Sequence, residues 1–209
     1  LNNGIYGQRQ GRHNQMVRVK IPWGGVLPDQ LEMMAHLADT YSRGWGHITT
    51  RQNVQFHFVQ LEKIPEVMRL LGSAGMTSRE ACGDTVRNVM GCHFAGACPH
   101  EKLDITPWAE ATYRHFVRNP LGQRLPRKFK INFSGCATDC GQAMFNDVGV
   151  IAVSRPRPDG TTEPAAAGAA QQTQEQGLRL VVARVAEGDP LRADGSCGLN
   201  EERMPQIAR

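Results

Sequence analysis

The chain has 209 residues, of which 40% are hydrophobic and 21% charged, and its 24 basic and 20 acidic side chains give a net charge of +4. This is the composition of a globular protein with a buried core, and no apolar stretch approaches the roughly 18 to 20 residues that cross a bilayer. The basic residues are scattered, without the aromatic interleaving typical of a nucleic-acid-binding surface. We therefore expect a cytoplasmic protein that binds neither membranes nor nucleic acid, and whose better partner is a small anion.

The start of the sequence and its cysteines suggest a reduced, metal-binding protein. The first residue is Leu1, which is compatible with a fragment of a longer protein, and no secretory signal pattern follows it. Cysteines of a chain without an export signal are expected to stay reduced, so metal binding is the leading use for the six cysteines here.

The first 75 residues alternate twice between strand and helix patterns. The predicted elements are a strand over 16–21, a helix over 29–42, a strand over 47–59 and a helix over 64–71. In the second strand, Val54, Phe56 and Phe58 alternate with polar residues and are all expected to face the core. Residues 1–75 therefore predict a compact α+β half-domain.

Residues 76–153 predict a second domain that contains most of the cysteines. A helix is expected to begin with Thr106 as its N-cap, and strands are expected over 128–133 and 148–153. In the first of these strands, Lys128, Lys130 and Asn132 would share one face. The segment 154–177, rich in Pro, Ala, Gln and Gly, predicts a flexible linker. A short strand and a loosely ordered tail are expected over 178–209.

Four cysteines form two clips. Five residues separate Cys92 from Cys98, three separate Cys136 from Cys140, and 37 lie between the pairs. Both clips are wider than the two-residue spacing usual for zinc, whereas a 4Fe-4S cluster spreads its ligands more widely and tolerates longer clips. We predict a 4Fe-4S cluster on these four cysteines, with zinc or four inert buried thiols as alternatives. Cys82 and Cys197 lie outside the clips and receive no role.

Several basic residues could bind an anion if the fold gathers them. Arg18 and Lys20 share one strand face, Lys128 and Lys130 share another, and Arg51 and Arg87 lie in short polar segments beside strands. Taken singly, each is expected to be a solvated surface charge. Together they would attract an anion, and the two lysines of the later strand are candidate proton donors. His57 is either an ordinary strand histidine or a cofactor contact.

The motifs at 50–57, 85–89 and 125–130, together with the two cysteine clips, resemble those of the sirohaem-dependent sulfite and nitrite reductases. The resemblance covers about residues 4–153. It implies a ferredoxin-like half-domain followed by an α/β domain that binds sirohaem and a 4Fe-4S cluster. It also implies six-electron reduction of sulfite to sulfide or of nitrite to ammonia, with electrons from a donor such as ferredoxin or a flavoprotein.

The resemblance assigns roles to particular residues. Those that match the family's anion-binding residues are Arg18, Arg87, Lys128 and Lys130. Those that match its sirohaem-binding segments are Arg51, Gln55, His57 and Asn88. The cluster ligands would be Cys92, Cys98, Cys136 and Cys140, of which Cys140 would also bridge the cluster to the sirohaem iron.

One departure from the family pattern concerns the number of repeats. Familiar single-chain members contain two copies of this module, whereas one copy here carries both the anion-binding motif and the cysteines. We therefore expect a complete site to need a second repeat, a partner subunit or self-association. A non-catalytic 4Fe-4S electron carrier, a zinc-stabilised binding module and a truncated copy without function are the other interpretations. Sulfite and nitrite suit the same basic side chains equally well.

Overall fold

The computed structural model describes residues 1–11, 13–156, 158, 159 and 161–169. The first part of the chain is an antiparallel sheet of four strands with two helices packed against it. Its elements are β1 (Ile5–Gly7), β2 (Asn14–Val19), α1 (Pro28–Tyr41), β3 (His47–Ile48), β4 (Val54–Gln60) and α2 (Ile64–Ser73), and the strand order is β1-β2-β4-β3. Each predicted helix is present, within two residues of its predicted ends.

The sheet and the two helices share one apolar core. Helix α1 buries Met34, Leu37 and Ala38, and α2 buries Val67 and Leu71, because residues three to four positions apart lie on one helix face. The core residues are Val17, Val19, Ile21, Met34, Leu37, Ala38, Phe56, Val59, Ile64, Val67, Leu71 and Met76. This core fixes the sheet whose polar residues contribute to the site below.

The predicted strand over 47–59 is two strands with a turn between them, and its alternation fails at Phe58. Gln15 pairs with Val59 while Val17 pairs with Phe56, so β4 has one more residue than β2 over this stretch. The extra residue forms a bulge, and Phe58 adopts a positive φ of 61°. As a result Val59, rather than Phe58, points into the core. The assignment of Phe58 to the core face is therefore wrong.

The second part of the chain contains α3 (Thr106–Phe116) and a sheet of β5 (Ile131–Ser134), β6 (Val148–Pro156) and β7 (Thr162–Ala169). Strand β5 is parallel to β6, and β7 is antiparallel to β6. A second core joins these elements through Val86, Val89, Cys92, Ile105, Ala109, Ile131 and Phe133. The cysteine clips lie at the edge of this core.

Part of the predicted linker belongs to the sheet. Residues 154–156 extend β6, and 162–169 form β7, with Val150 opposite Gly168. Strand pairing uses backbone N–H and C=O groups, so a low-complexity segment forms a ladder when an edge is available to it. The linker interpretation is wrong for these residues. The remainder, 170–177, and the strand and tail predicted over 178–209 lie outside the described residues.

Two local predictions in the second part are also corrected. Thr106 is the first residue of α3 rather than its cap, because Ile105 occupies the N-cap position and the Asp104 carboxylate accepts the Thr106 N–H at 2.9 Å. The strand predicted over 128–133 begins only at Ile131, and Phe129 pairs alone with Val86.

Polar contacts join the two parts. The Lys20 N–H donates to the Thr77 carbonyl at 2.8 Å, and the Asn88 amide donates to the carbonyls of Ile21 and Arg51. The domain boundary between residues 75 and 76 stays a prediction. Within the described ranges, no helix combines the length and apolar character needed to cross a membrane.

We predict that Leu37→Ala lowers the free energy of unfolding by about 3 kcal/mol, because it leaves a cavity in a close-packed core. Leu31→Ala in the same helix is the matched control, since Leu37 is 1% exposed and Leu31 is 62% exposed. The control should change stability by about 0.5 kcal/mol or less. Urea denaturation of both variants checks this, and equal losses would contradict the assigned core face of α1.

Candidate functional site

All four clip cysteines line one cavity of about 200 Å³, together with Phe94, His100, Glu101, Gly135 and Thr138. Cys92 is buried, and Cys98, Cys136 and Cys140 are half-buried, so they are not four inert core thiols. In the described part of the chain, no three His, Cys, Asp or Glu side chains converge on a single metal ion. Thiols spread around a cavity fit an iron-sulfur cluster better than a tetrahedral zinc ion.

The first clip is a tight run of turns. The Cys92 carbonyl accepts the Ala95 N–H at 3.1 Å, and the Phe94 carbonyl accepts the Cys98 N–H at 3.0 Å. Gly96 has a φ of +78°, which glycine adopts without strain, and its N–H donates to Glu101 Oε2 at 2.8 Å. These bonds turn both cysteines of the clip toward the cavity.

Asp139 organises the second clip. Its Oδ1 accepts the Ser134 hydroxyl at 2.6 Å and the Ala143 N–H at 2.7 Å, and its Oδ2 accepts the Met144 N–H at 3.0 Å. The residue itself has a φ of +57°. A carboxylate that accepts three bonds holds the chain on both sides of Cys140 in place.

Gly135 lets the two clips approach each other. The Lys102 N–H donates to the Gly135 carbonyl at 2.7 Å, which ties the segment after the first clip to the start of the second. A Cβ at Gly135 would lie 2.8 Å from Glu101 Oε1 and 3.1 Å from the Leu103 carbonyl oxygen. The close approach therefore requires glycine.

The thiols influence one another. Burial raises the pKa of the Cys92 thiol, and the neighbouring Cys140, Cys136 and Cys98 raise it further. Four uncompensated thiolates this close would repel one another, and cationic iron would relieve that repulsion. The donor set thus fits an iron-sulfur cluster.

Two predicted anion-binding residues, Arg18 and Arg87, are brought together by one carbonyl group. Arg18 Nη1 donates to the Ala81 oxygen at 3.1 Å, and Arg87 Nη1 donates to the same oxygen at 2.5 Å. Arg87 Nε is held by the Gly83 carbonyl at 3.0 Å. Among the described residues, Arg87 Nη2 has no hydrogen-bond partner, so it is available to an anion.

The two lysines have different surroundings. Phe129, which lies between Lys128 and Lys130, pairs with Val86, so both lysines are next to the segment that carries Arg87. Lys128 is exposed, Lys130 is half-buried, and the Asn132 side chain is fully buried. The backbone that carries the lysines is therefore next to the segment that carries Arg87, whereas Asn132, which was expected to share their face, is buried.

Arg51 and Asn88 bind protein atoms. Arg51 Nη2 donates to the Asn88 carbonyl at 2.6 Å and to Asn132 Oδ1 at 3.0 Å, and Nη1 donates to Asn146 Oδ1 at 3.2 Å. Burial, and then the charge of Arg87, lower the pKa of Arg51 to about 10. Asn88 is completely buried, with its amide nitrogen bound to main-chain carbonyls. Their contact with a cofactor stays a prediction.

Gln55 and His57 lie on the sheet beside Arg18. With its oxygen turned toward Arg18, the Gln55 amide accepts bonds from Nη2 at 2.7 Å and from Nε at 2.9 Å. His57 stacks against His47 at 6.0 Å between ring centroids. Burial, followed by the charges of His47 and Arg18, lowers the pKa of His57. Both residues occupy the polar sheet face predicted for them, and their cofactor roles stay predictions.

Comparison with known proteins places the chain in a family. The family model described as "Nitrite and sulphite reductase 4Fe-4S domain" matches residues 82–193, and "Nitrite/Sulfite reductase ferredoxin-like half domain" matches residues 6–74. The chain belongs to the nitrite and sulfite reductase family. The predicted family and fold class are confirmed, and membership implies a 4Fe-4S cluster and sirohaem as cofactors.

Individual relatives agree with this placement. An assimilatory ferredoxin-dependent nitrite reductase of Haloferax mediterranei is 36% identical over 158 residues, which are 70% of this chain and 27% of that protein. A sulfite reductase [ferredoxin] of Mycobacterium tuberculosis is 35% identical over 141 residues, 68% of this chain and 25% of that protein. The chain therefore spans about a quarter of the length of these curated relatives.

Two solved structures share the fold. The Mycobacterium tuberculosis NirA protein superimposes with a TM-score of 0.70 at 31% identity, over 80% of this chain and 32% of that chain. Dissimilatory sulfite reductase I gives a TM-score of 0.59 at 18% identity, over 69% of this chain and 34% of that chain. The second likeness concerns the fold alone.

Sequence reasoning missed the residues that position the site. Glu101 and Asp139 are acidic residues without a motif of their own, and the Ala81 carbonyl gives no side-chain signal at all. For Asp139, its place inside a clip and next to Cys140 was the available signal.

We predict that Gly135→Ala disturbs the cysteine cavity, because the added Cβ meets Glu101 and the Leu103 carbonyl. Stability should fall by about 1 to 3 kcal/mol, and the iron bound per chain should fall with it. Gly72→Ala is the control, since no atom lies within 4 Å of its Cβ position in α2, and it should stabilise the helix by up to about 1 kcal/mol. Thermal unfolding and iron analysis of both variants test the requirement for glycine, which normal iron content in Gly135→Ala would refute.

Proposed function

We propose that this chain contributes a cluster-binding and anion-binding site for the six-electron reduction of sulfite to sulfide or of nitrite to ammonia. The observation that carries the proposal is the convergence of the four cysteines of both clips on one cavity, in a chain that also pairs Arg18 and Arg87 on one carbonyl. These groups would supply thiolate ligands for a cluster and, through the free Nη2 of Arg87, a donor for an oxyanion.

The cofactors would be held by residues already described. Cys92, Cys98, Cys136 and Cys140 would hold the 4Fe-4S cluster, and Cys140 is the proposed link to the sirohaem iron. When bound, the two groups supply the electron transfer that the protein's side chains cannot perform. The proposed contacts of sirohaem with this chain are Arg51, Gln55, His57 and Asn88.

The arginines would bind and orient the substrate anion. A guanidinium offers N–H donors in a fixed plane, which suits the oxygens of sulfite or nitrite. The Ala81, Gly83 and Gln55 oxygens hold the guanidiniums of Arg18 and Arg87 in place before the anion arrives. Donors that are fixed in advance need little reorganisation during reaction.

Lys128 and Lys130 are the proposed proton donors. Reduction of either anion removes oxygen as water, which requires protons close to the departing oxygen. Both lysines flank Phe129, which pairs with the segment that carries Arg87. An ammonium beside the bound anion can both stabilise its charge and release a proton.

The proposed function requires two partners: a second repeat or subunit, and an electron donor. We infer that a second repeat or subunit completes the site, since the chain spans about a quarter of its curated relatives. Ferredoxin is the proposed electron donor because relatives are named as ferredoxin-dependent, and a flavoprotein is the alternative donor. The cytoplasmic location stays a prediction.

A 4Fe-4S electron carrier without sirohaem is a second candidate. It is favoured by Arg51, whose two Nη atoms bind protein oxygens rather than facing an open site. The zinc-binding module has less support, because the thiols surround a cavity and the matching family model describes a 4Fe-4S domain.

An anaerobic absorption spectrum, with iron and acid-labile sulfide analysis, tests the proposal on chain produced in cells that make sirohaem. Tetrapyrrole bands together with about four iron and four sulfide per cluster support it. A cluster without tetrapyrrole bands favours the carrier, and zinc in place of iron rejects both.

Within this experiment, we predict that Cys136→Ser lowers iron and sulfide per chain by more than half, because a hydroxyl is a poor ligand for iron in such clusters. Cys82→Ala is the matched control, since Cys82 is buried and does not line the cavity. It should retain the cluster. An equal loss in both variants would mean that general stability, rather than ligation, determines iron content.

We also predict that Arg87→Ala weakens sulfite or nitrite binding about tenfold or more, which corresponds to about 1.4 kcal/mol or more. The lost group is a charged donor with a free Nη2. Arg69→Ala removes an equal charge from the exposed face of α2 and should change the affinity less than twofold. Spectral titration of the cofactor-loaded protein measures both, and equal effects would rule out a local role for Arg87.

A further inference from the structure

A buried ion pair lies close in the chain to Arg18 and to the Ala81 carbonyl, and it has no part in the function proposed so far. Lys20 Nζ lies 3.2 Å from Glu80 Oε2, and the side chains are 2% and 1% exposed. Burying two charges costs solvation that their mutual attraction often fails to repay, so a buried pair is weak evidence for a stabilising role. The other contacts of Glu80 and Lys20 indicate a structural role for the pair.

The Glu80 carboxylate joins three segments of the chain. Oε2 binds Lys20 on the extension of β2, while Oε1 accepts the Arg118 N–H at 2.7 Å and the Gln123 amide from the segment after α3. Both oxygens are therefore engaged. Such a fully bonded carboxylate fixes the relative positions of the groups around it.

The backbone of Glu80 is held in an unfavourable conformation. Its φ is +59°, a region that residues with a Cβ rarely adopt. The Asn2 carbonyl accepts its N–H at 2.5 Å, and its own carbonyl accepts the Thr85 hydroxyl at 3.2 Å. Conformations of this kind persist where the surroundings enforce them, and they are often found at functional sites.

The residue that follows, Ala81, carries the carbonyl shared by Arg18 and Arg87. Lys20 in turn lies two residues after Arg18, and its Nζ lies 3.5 Å from the carbonyl of Val86, the neighbour of Arg87. Glu80 thus directly precedes the carbonyl that both guanidiniums share, and Lys20 lies two residues after Arg18 and contacts the residue before Arg87.

We propose that Glu80 and Lys20 are positioning residues: their buried contact fixes the Ala81 carbonyl and thereby holds the Arg18 and Arg87 guanidiniums together as one anion-binding unit. The identity of the anion rests on the proposed function, whereas the positioning is measurable without it. The pair itself does not touch the substrate.

The first test uses NMR of the full chain without added anion, and compares Glu80→Gln with wild type. Hydrogen exchange of the Arg87 Nε–H, which donates to Gly83, should become at least tenfold faster in the variant. Backbone amides of α1 and α2 should keep their exchange rates, because their core does not include the pair. Unchanged Arg87 exchange would overturn the proposal.

Glu66→Gln is the matched control, because Lys63 and Glu66 form an exposed Lys–Glu pair of similar length, 3.3 Å. It removes the same charge without touching the Ala81 segment. Arg87 exchange should stay within twofold of wild type in this variant. An acceleration as large as that in Glu80→Gln would show that overall charge, not position, governs the arginine, and would overturn the proposal.

A double variant separates positioning from folding. Lys20→Met with Glu80→Leu replaces the pair by apolar side chains, a change that buried ion pairs often tolerate without loss of stability. If Glu80→Gln does not fold, this variant takes its place. A folded double variant should still show fast Arg87 exchange, because the bonds to Arg118 and Gln123 are lost. Wild-type exchange in it would reject the positioning role.

Sulfite titration of the cofactor-loaded protein provides the functional measurement. We expect the dissociation constant to rise about tenfold in the double variant while its melting temperature stays near that of wild type. If wild type binds neither sulfite nor nitrite but Arg87 exchange responds as expected, the positioning holds and the proposed function fails. If wild type binds sulfite and the double variant binds it equally well, the positioning proposal fails and the function stands.

Discussion

The Arg51 guanidinium joins the first sheet to three segments of the cysteine-bearing part. It extends from the turn between β3 and β4 and donates to the Asn88 carbonyl, to Asn132 on β5 and to Asn146 before β6. Its burial lowers its pKa to about 10, which still leaves it charged at neutral pH. A half-buried cation is stabilised by such bonds, and these ones tie the segments around Arg51 to one another.

This constraint connects the two halves of the candidate site. Asn132, held by Arg51, donates to the carbonyl of Gly141, directly after Cys140. Asn88, whose carbonyl Arg51 also binds, is the neighbour of Arg87. A single guanidinium thus lies between the segment that presents a cysteine and the segment that presents Arg87, the arginine proposed to bind the anion. Distances between cluster and substrate matter for electron transfer, so a rigid connection of this kind suits the proposed reaction.

Four basic side chains of this region lie near one another, and most of their hydrogen-bond acceptors are uncharged. Arg18, Lys20, Arg51 and Arg87 lie close enough to influence one another, and Glu80 is the acidic group that touches Lys20. Main-chain carbonyls and side-chain amides, which carry no net charge, hold the other three cations. These neutral acceptors order the guanidiniums without adding negative charge, which suits the proposed anion site.

Much of the fold could be predicted from local patterns, because helix and strand periodicity depends on residues close in sequence. The helical spacing of Met34 and Ala38 predicted α1 correctly, and that of Val67 and Leu71 predicted α2. The cysteine spacing predicted a cluster that the family match supports. The bulge at Phe58 could not be read in this way, since it depends on the register of β4 against β2. The strand at 162–169 was also not predicted, because an alanine-rich segment forms a strand only where another strand offers a free edge for pairing.

The sequence by itself determined which chemical groups are present: four thiols in two clips, and arginines and lysines in recognisable motifs. Only the tertiary structure decided which of them meet. In the folded chain, Arg18 and Arg87 both donate to the Ala81 carbonyl, and Glu80 is buried in contact with Lys20. Arg51 and Asn88 form their hydrogen bonds with protein atoms. The physical reason is that these contacts join residues distant in the chain, often through main-chain oxygens that every residue possesses, so no residue pattern records them.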